Sequence, residues 1–103
     1  MYLIRRVYRT KPGKSRQAAE LLVKLGEIYL KAGQRSPSRV YSSGGTVPGP
    51  SNTVYMDWTD DAIRSPYRKG NKLPELAMTL GQQLREFVEE SHIEFYDLLP
   101  PAD

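Results

Sequence analysis

His92 is the only histidine in the chain, and it lies between the Glu89, Glu90 pair and Glu94. Imidazole is the side chain whose unperturbed pKa falls near neutrality. His92 is therefore the candidate catalytic residue, as a general base or as an axial ligand. A plainer reading makes it a polar residue at a helix end, where the dipole favours it, and the sequence favours that reading. Tyr8, Tyr41, Tyr55, Trp58 and Tyr96 fall in segments with strand patterning. Of these, Tyr8, Tyr41, Tyr55 and Trp58, together with Arg6, are the candidate ligand-binding residues. The rings would line an aromatic pocket and the guanidinium would grip an anionic group, with Arg39 as a second grip. The competing reading is core and subunit interface, which both favour Tyr and Trp.

Other chemistries find no support in residue spacing. A metal site needs several converging His, Cys or carboxylate ligands. One His and no Cys predict no metal. Asp60 and Asp61 read as first-turn acids of a short helix capped by Thr59, not as a catalytic pair. No Gly-x-Ser-x-Gly occurs. Gly44, Gly45 and Gly49 are not followed by the Lys-Ser or Lys-Thr of a phosphate loop, and Gly13-Lys14-Ser15 lacks the upstream glycine.

The elements that must position these residues follow from periodicity. Tyr2 to Thr10 alternates as a strand, with Leu3 and Val7 on one face and Tyr2, Ile4 and Tyr8 on the other. Lys11, Pro12, Gly13 and Lys14 make a turn into a helix over Ser15 to Ala32. Its apolar stripe is Ala18, Leu21, Leu22, Leu25, Ile28 and Tyr29, and Gly33 stops it. Gly26, inside the helix at some cost in propensity, predicts a close approach by another backbone. Ser38 to Ser43 and Thr53 to Trp58 read as strands flanking a Gly/Pro/Ser-rich loop. The second of these puts Val54, Met56 and Trp58 on one face and Tyr55 on the other. Leu73 to Glu90 reads as a second helix, interrupted upstream at Pro66 and Gly70, and Ile93 to Leu99 as the last strand, ended by Pro100 and Pro101.

The 103 residues fit one domain spanning the whole chain, 1–103. With 39% hydrophobic and 26% charged residues, the composition is that of an ordinary soluble protein. No apolar run reaches the roughly 20 residues that span a bilayer, and Met1 to Arg9 has no apolar signal core, so no membrane partner is expected. Absence of Cys fits a cytoplasmic location. The net charge of +3 is mild, with basic clusters at Arg5 to Arg16 and Arg64 to Lys72. That pattern predicts solvated surface or an anionic small ligand, not nucleic acid. The strand before Trp58 also lacks the signature of an RNA-recognition module.

The element order is βαββαβ, the ferredoxin-like α+β arrangement: a four-stranded antiparallel sheet with two helices on one face. Two helices cover one face, yet the strands carry large apolar or aromatic side chains on both. The second face is expected to meet a second copy of the chain across a two-fold axis.

Three segments then resemble the dimeric α+β barrel superfamily, and within it NIPSNAP-like and antibiotic-biosynthesis-monooxygenase-like domains. They are the strand ending in Lys11-Pro12-Gly13-Lys14 before an Ala- and Leu-rich helix, the strand Val54-Tyr55-Met56-Asp57-Trp58 followed by Thr59-Asp60-Asp61-Ala62, and a final strand near the C-terminus. The resemblance implies a homodimer with a cleft between sheet and helices. It also implies a small aromatic or polyketide-like ligand there, and an activity such as cofactor-independent oxygenation. The alternative is a non-catalytic dimeric binding or accessory domain. The haem-degrading branch pairs a strand-borne Asn with a Trp and a helix-borne His. This chain has Trp58 and His92 but no Asn in its first strand, so neither haem nor another cofactor is expected.

Overall fold

In the computed structural model, which describes residues 1–63 and 74–99, alternation decides which strand side chains are buried. The first strand, β1 (Tyr2–Thr10), buries Ile4, Tyr8 and Thr10 and leaves Leu3, Arg5 and Val7 half-buried on the other side. The helix α1 (Ser15–Lys31) buries Ala18, Leu21, Leu22 and Leu25, the predicted stripe. β2 (Arg39–Ser43), β3 (Thr53–Asp60), α2 (Glu75–Arg85) and β4 (Val88–Asp97) complete the order. The strands lie in the order β2-β3-β1-β4 with every neighbour antiparallel. This is the expected ferredoxin-like α+β architecture. Both helices pack on the side of Tyr8, Val54 and Met56, which with Leu22 and Leu84 form the core.

Gly26 is where α1 meets the chain entering β2. A Cβ at that position would collide with Ser38 Oγ and lie 3.2 Å from Met56 Cε. The mid-helix glycine therefore sets how closely the helix sits on the sheet; what approaches it is the Ser38 and Met56 side chains, not the expected backbone.

The C-terminus of α1 is closed by a paired turn. Gly33 has φ +70°, its N–H donates to the Leu30 carbonyl, and the Gln34 N–H reaches back to the Tyr29 carbonyl at 3.0 Å. A side chain with Cβ resists this left-handed conformation, so glycine ends the helix here. The hook turns Arg35 back over the last helical turn.

Two element boundaries differ from expectation. The second helix stops at Arg85, although Phe87 and Val88 continue its apolar period. Its last turn is tightened by Glu86 N–H to the Gln83 carbonyl and Phe87 N–H to the Leu84 carbonyl, and the Phe87 carbonyl then accepts from Lys11 N–H at 2.9 Å. β4 begins at Val88, which pairs with Thr10 across a register irregularity. Long-range pairing along the whole of β1 outcompetes a local helical period. Glu89 and Glu90 both reach the Arg9 guanidinium, at 3.6 and 3.3 Å. His92 is consequently a mid-strand residue, not one at a helix end.

The predicted helix cap at Thr59 is also corrected. β3 runs on through Thr59, opposite Leu3, to Asp60, opposite Tyr2. Asp60 Oδ1 instead accepts from the Ala62 N–H at 3.3 Å, closing a turn. The expectations for Pro66, Gly70, Leu73, Pro100 and Pro101, and for the basic cluster Arg64 to Lys72, fall outside the described residues. Among the described residues, no helix is long and apolar enough to cross a membrane.

Candidate functional site

Period-two alternation gives β1 two chemically distinct sides. Arg6 and Tyr8 point toward the helices, and the cross-strand partner of Tyr8 on β4 is Ser91, while that of Arg6 on β3 is Met56. These side chains border a cavity of about 480 Å³ between sheet and helices. Small-molecule sites typically enclose about 300–1,000 Å³. The apolar wall includes Leu22, Leu25, Met56, Ala77, Leu84 and Val88. The polar wall includes Arg6, Tyr8, Tyr29, Arg35, Gln82, Arg85 and Ser91, and no carboxylate joins it among the described residues.

The polar wall is organised around arginines. Arg6 Nε is buried with no hydrogen-bond partner among the described residues. Its guanidinium carbon lies 5.6 Å from the Tyr8 ring centre. Burial pushes the Tyr8 phenol above its ordinary range, against the pull of the Arg6 and Arg35 charges. At neutral pH Tyr8 is therefore a protonated hydrogen-bond donor. Arg35, hooked back by the turn at Gly33, stacks between two rings: its guanidinium carbon is 4.1 Å from the Tyr29 centroid and 3.8 Å from that of Trp58. Nη1 also points at Met56 Sδ, 3.9 Å away. Guanidinium planes favour such stacking, which holds the charge in place.

The opposite face of the sheet carries a second constellation. Asp57 of β3 is buried, and its carboxylate accepts from Tyr41 Oη at 2.6 Å and from Arg39 through Nε and Nη2 at 3.0 and 3.3 Å. That two-pronged pairing is what permits a buried charge. The Tyr41 phenol is raised by burial and by donating to Asp57. Tyr41 and Tyr55 stack at 5.2 Å with 15° between their planes. Arg5 lies over Tyr55, 5.1 Å from its centroid, and donates through Nε to Glu94 at 2.8 Å. Glu94 also accepts from Tyr96 Oη at 2.7 Å and lies 3.1 Å from His92 Nε2. Those hydrogen bonds, Tyr96 first and His92 next, with Arg5 behind them, hold the Glu94 carboxyl at about 2. Among the described residues, no group of three or more His, Cys, Asp or Glu is placed to hold a metal.

Known structures share this fold. An uncharacterized NIPSNAP domain protein from Burkholderia xenovorans superposes with TM-score 0.67 over 99% of this chain and 96% of its own, at 20% identity. A NIPSNAP family protein from Agrobacterium tumefaciens superposes with TM-score 0.66 over 96% of this chain and 91% of its own, also at 20% identity. An antibiotic biosynthesis monooxygenase gives TM-score 0.64 over 97% of this chain and 100% of its own, at 13% identity. The chain has the fold of these proteins. No protein-family model matches the chain and no curated protein does. At these identities the likeness concerns the fold.

Within this fold the predicted site residues separate. Arg6 and Tyr8 meet at the cavity. Trp58 lies on the same side but touches the cavity through Arg35, which it backs. Tyr41, Tyr55 and His92 lie on the other face, with His92 exposed. Trp58 and His92 thus occupy opposite sides of one sheet, which keeps them from sharing a pocket within one chain. Sequence reasoning missed Tyr29, Arg35 and Arg85. In the sequence Tyr29 shows only as part of the helix stripe. Arg35 follows a helix-ending glycine and Arg85 ends a helix, and nothing in their local spacing marks them as neighbours of Arg6.

Proposed function

We propose that this chain is a homodimer that binds a small aromatic or polyketide-like molecule in the cavity between sheet and helices. The observation that carries the ligand reading is the cavity itself: about 480 Å³, apolar on one side and hydrogen-bonding on the other. The fold shared with an antibiotic biosynthesis monooxygenase supports the same reading. The test is titration with anthrone, a neutral tricyclic aromatic ketone, followed by amide resonances. Shifts concentrated at Leu22, Leu25, Met56 and Val88 are expected. Shifts scattered over the surface, or none, would sink the reading.

The dimer reading rests on the open sheet face. Leu3, Val7 and Tyr55 are half-buried there without a covering layer among the described residues. The face carries both signs of charge, with Arg5, Arg9 and Arg39 beside Asp57, Glu90 and Glu94. Mixed charge suits a self-complementary two-fold contact. Sedimentation at micromolar concentration is expected to give about twice the 11.7 kDa chain mass. A clean monomer would remove this part.

A specific observation favours a second reading, a non-catalytic binding or accessory domain. The one histidine lies on the opposite face from the cavity, so it cannot serve there as a base within its own chain. Oxygen uptake with anthrone separates the two readings. Protein-dependent consumption supports cofactor-independent oxygenation, and binding without consumption supports the accessory role.

A further inference from the structure

We propose that the cavity selects an anionic ligand: a carboxylate on an apolar aromatic body, held by Arg6 and Arg85 and oriented by Tyr8 and Ser91. This deepens the cavity reading above and rests on it. Three arginines, Arg6, Arg35 and Arg85, line one space with no carboxylate among the described lining residues. Elsewhere on the molecule the arginines of β1 and β2 are matched: Arg5 to Glu94, Arg9 to Glu89 and Glu90, Arg39 to Asp57. Arg6 and Arg85 have no ion-pair partner among the described residues, and Arg6 Nε is a buried donor left without an acceptor.

Both facts point to a missing acceptor of negative charge. A buried donor with no partner is costly, and a guanidinium directs paired N–H groups at a planar carboxylate. Arg35 adds a third positive charge to the wall, fixed by Tyr29 and Trp58. Tyr8 lies beside Arg6, and Ser91 is the β4 partner of Tyr8. Two hydroxyls therefore flank the charge and can donate to the same oxygens. The wall made by Leu22, Leu25 and Leu84 takes the apolar body.

The test compares two probes of one shape, 1-naphthoate and 1-naphthamide, by calorimetric titration at pH 7. Naphthoate is expected to bind about tenfold or more tightly than the amide, with the difference shrinking as salt rises. Arg6→Gln and Arg85→Gln should each remove most of that difference. Arg16→Gln, an exposed residue of α1 paired with Glu20, should leave it unchanged. Arg85 ends a helix at the surface, so its variant keeps the test decisive if Arg6→Gln does not fold. Equal binding of acid and amide would overturn the anionic proposal while leaving the cavity reading standing. A preference for the acid that survives both variants would also overturn it. Failure of both probes to bind would overturn the anionic proposal, and the cavity reading would then stand or fall with the anthrone titration.

Discussion

The guanidinium carbon of Arg35 lies 3.8 Å from the centre of the Trp58 ring, on the side of the sheet that faces the helices. Trp58 is thus a positioning residue. It braces a charge at the cavity wall that the turn at Gly33 delivers from the end of α1.

Replacing Trp58 by Ala should therefore act twice. The half-buried indole and its stacking are lost, at a cost of about 2 kcal/mol in a denaturant titration. Trp58→Phe keeps a ring under Arg35 and should cost about 1 kcal/mol or less. Equal losses for the two substitutions would show that stacking on Arg35 contributes nothing.

Gly26 supplies a graded test of helix placement. Gly26→Ala brings a Cβ against Ser38 Oγ, the end of a side chain that can rotate away, while the helix gains about 1 kcal/mol in propensity. The net change should stay within about 1 kcal/mol. Gly26→Val has no such escape, because its branches press on both Ser38 and Met56, and it should destabilise by about 2–3 kcal/mol. Thermal midpoints of the two variants check this ordering. A stable Gly26→Val protein would mean that α1 does not sit tightly on β2.

Glu94 makes stability depend on pH on the acid side. Its folded-state pKa is lowered from 4.5 to about 2, chiefly by hydrogen bonds from Tyr96 and His92. A lowered pKa contributes stability that is complete above the unfolded value and is lost as pH falls from about 4.5 toward 2. Glu94→Gln should lower the urea midpoint at pH 7 and flatten its decline between pH 4.5 and 3. Parallel declines in the two proteins would show that Glu94 is not a source of the acid sensitivity.

How far the sequence reveals this molecule depends on how local each determinant is. The faces of β1 and β3 follow from alternation alone, because Tyr8, Val54 and Met56 fall on the side where the helices pack and Ile4 is buried in the same register. The stripe of α1 and its glycine stop are equally local. The end of α2 was not legible, because Phe87 and Val88 fit a helical period and lose that role only to pairing with the distant end of β1. The candidate site divides in the same way. Tyr8 is legible as a strand aromatic and Arg6 as a cation on the same strand. Arg35 and Arg85 join them only after a turn and a helix end are folded onto the sheet.

β1 works as a partition. Its even-numbered residues from Ile4 to Thr10 furnish the cavity and core, and its odd-numbered residues from Leu3 to Arg9 furnish the ion-paired outer face. Substitution at one parity rewrites one compartment and spares the other, so the cavity lining and the outer-face chemistry can drift independently. A single inserted residue would exchange the two sets at once, driving Arg5 into the core and Tyr8 out of it. The strand is therefore permissive to replacement and closed to changes of length.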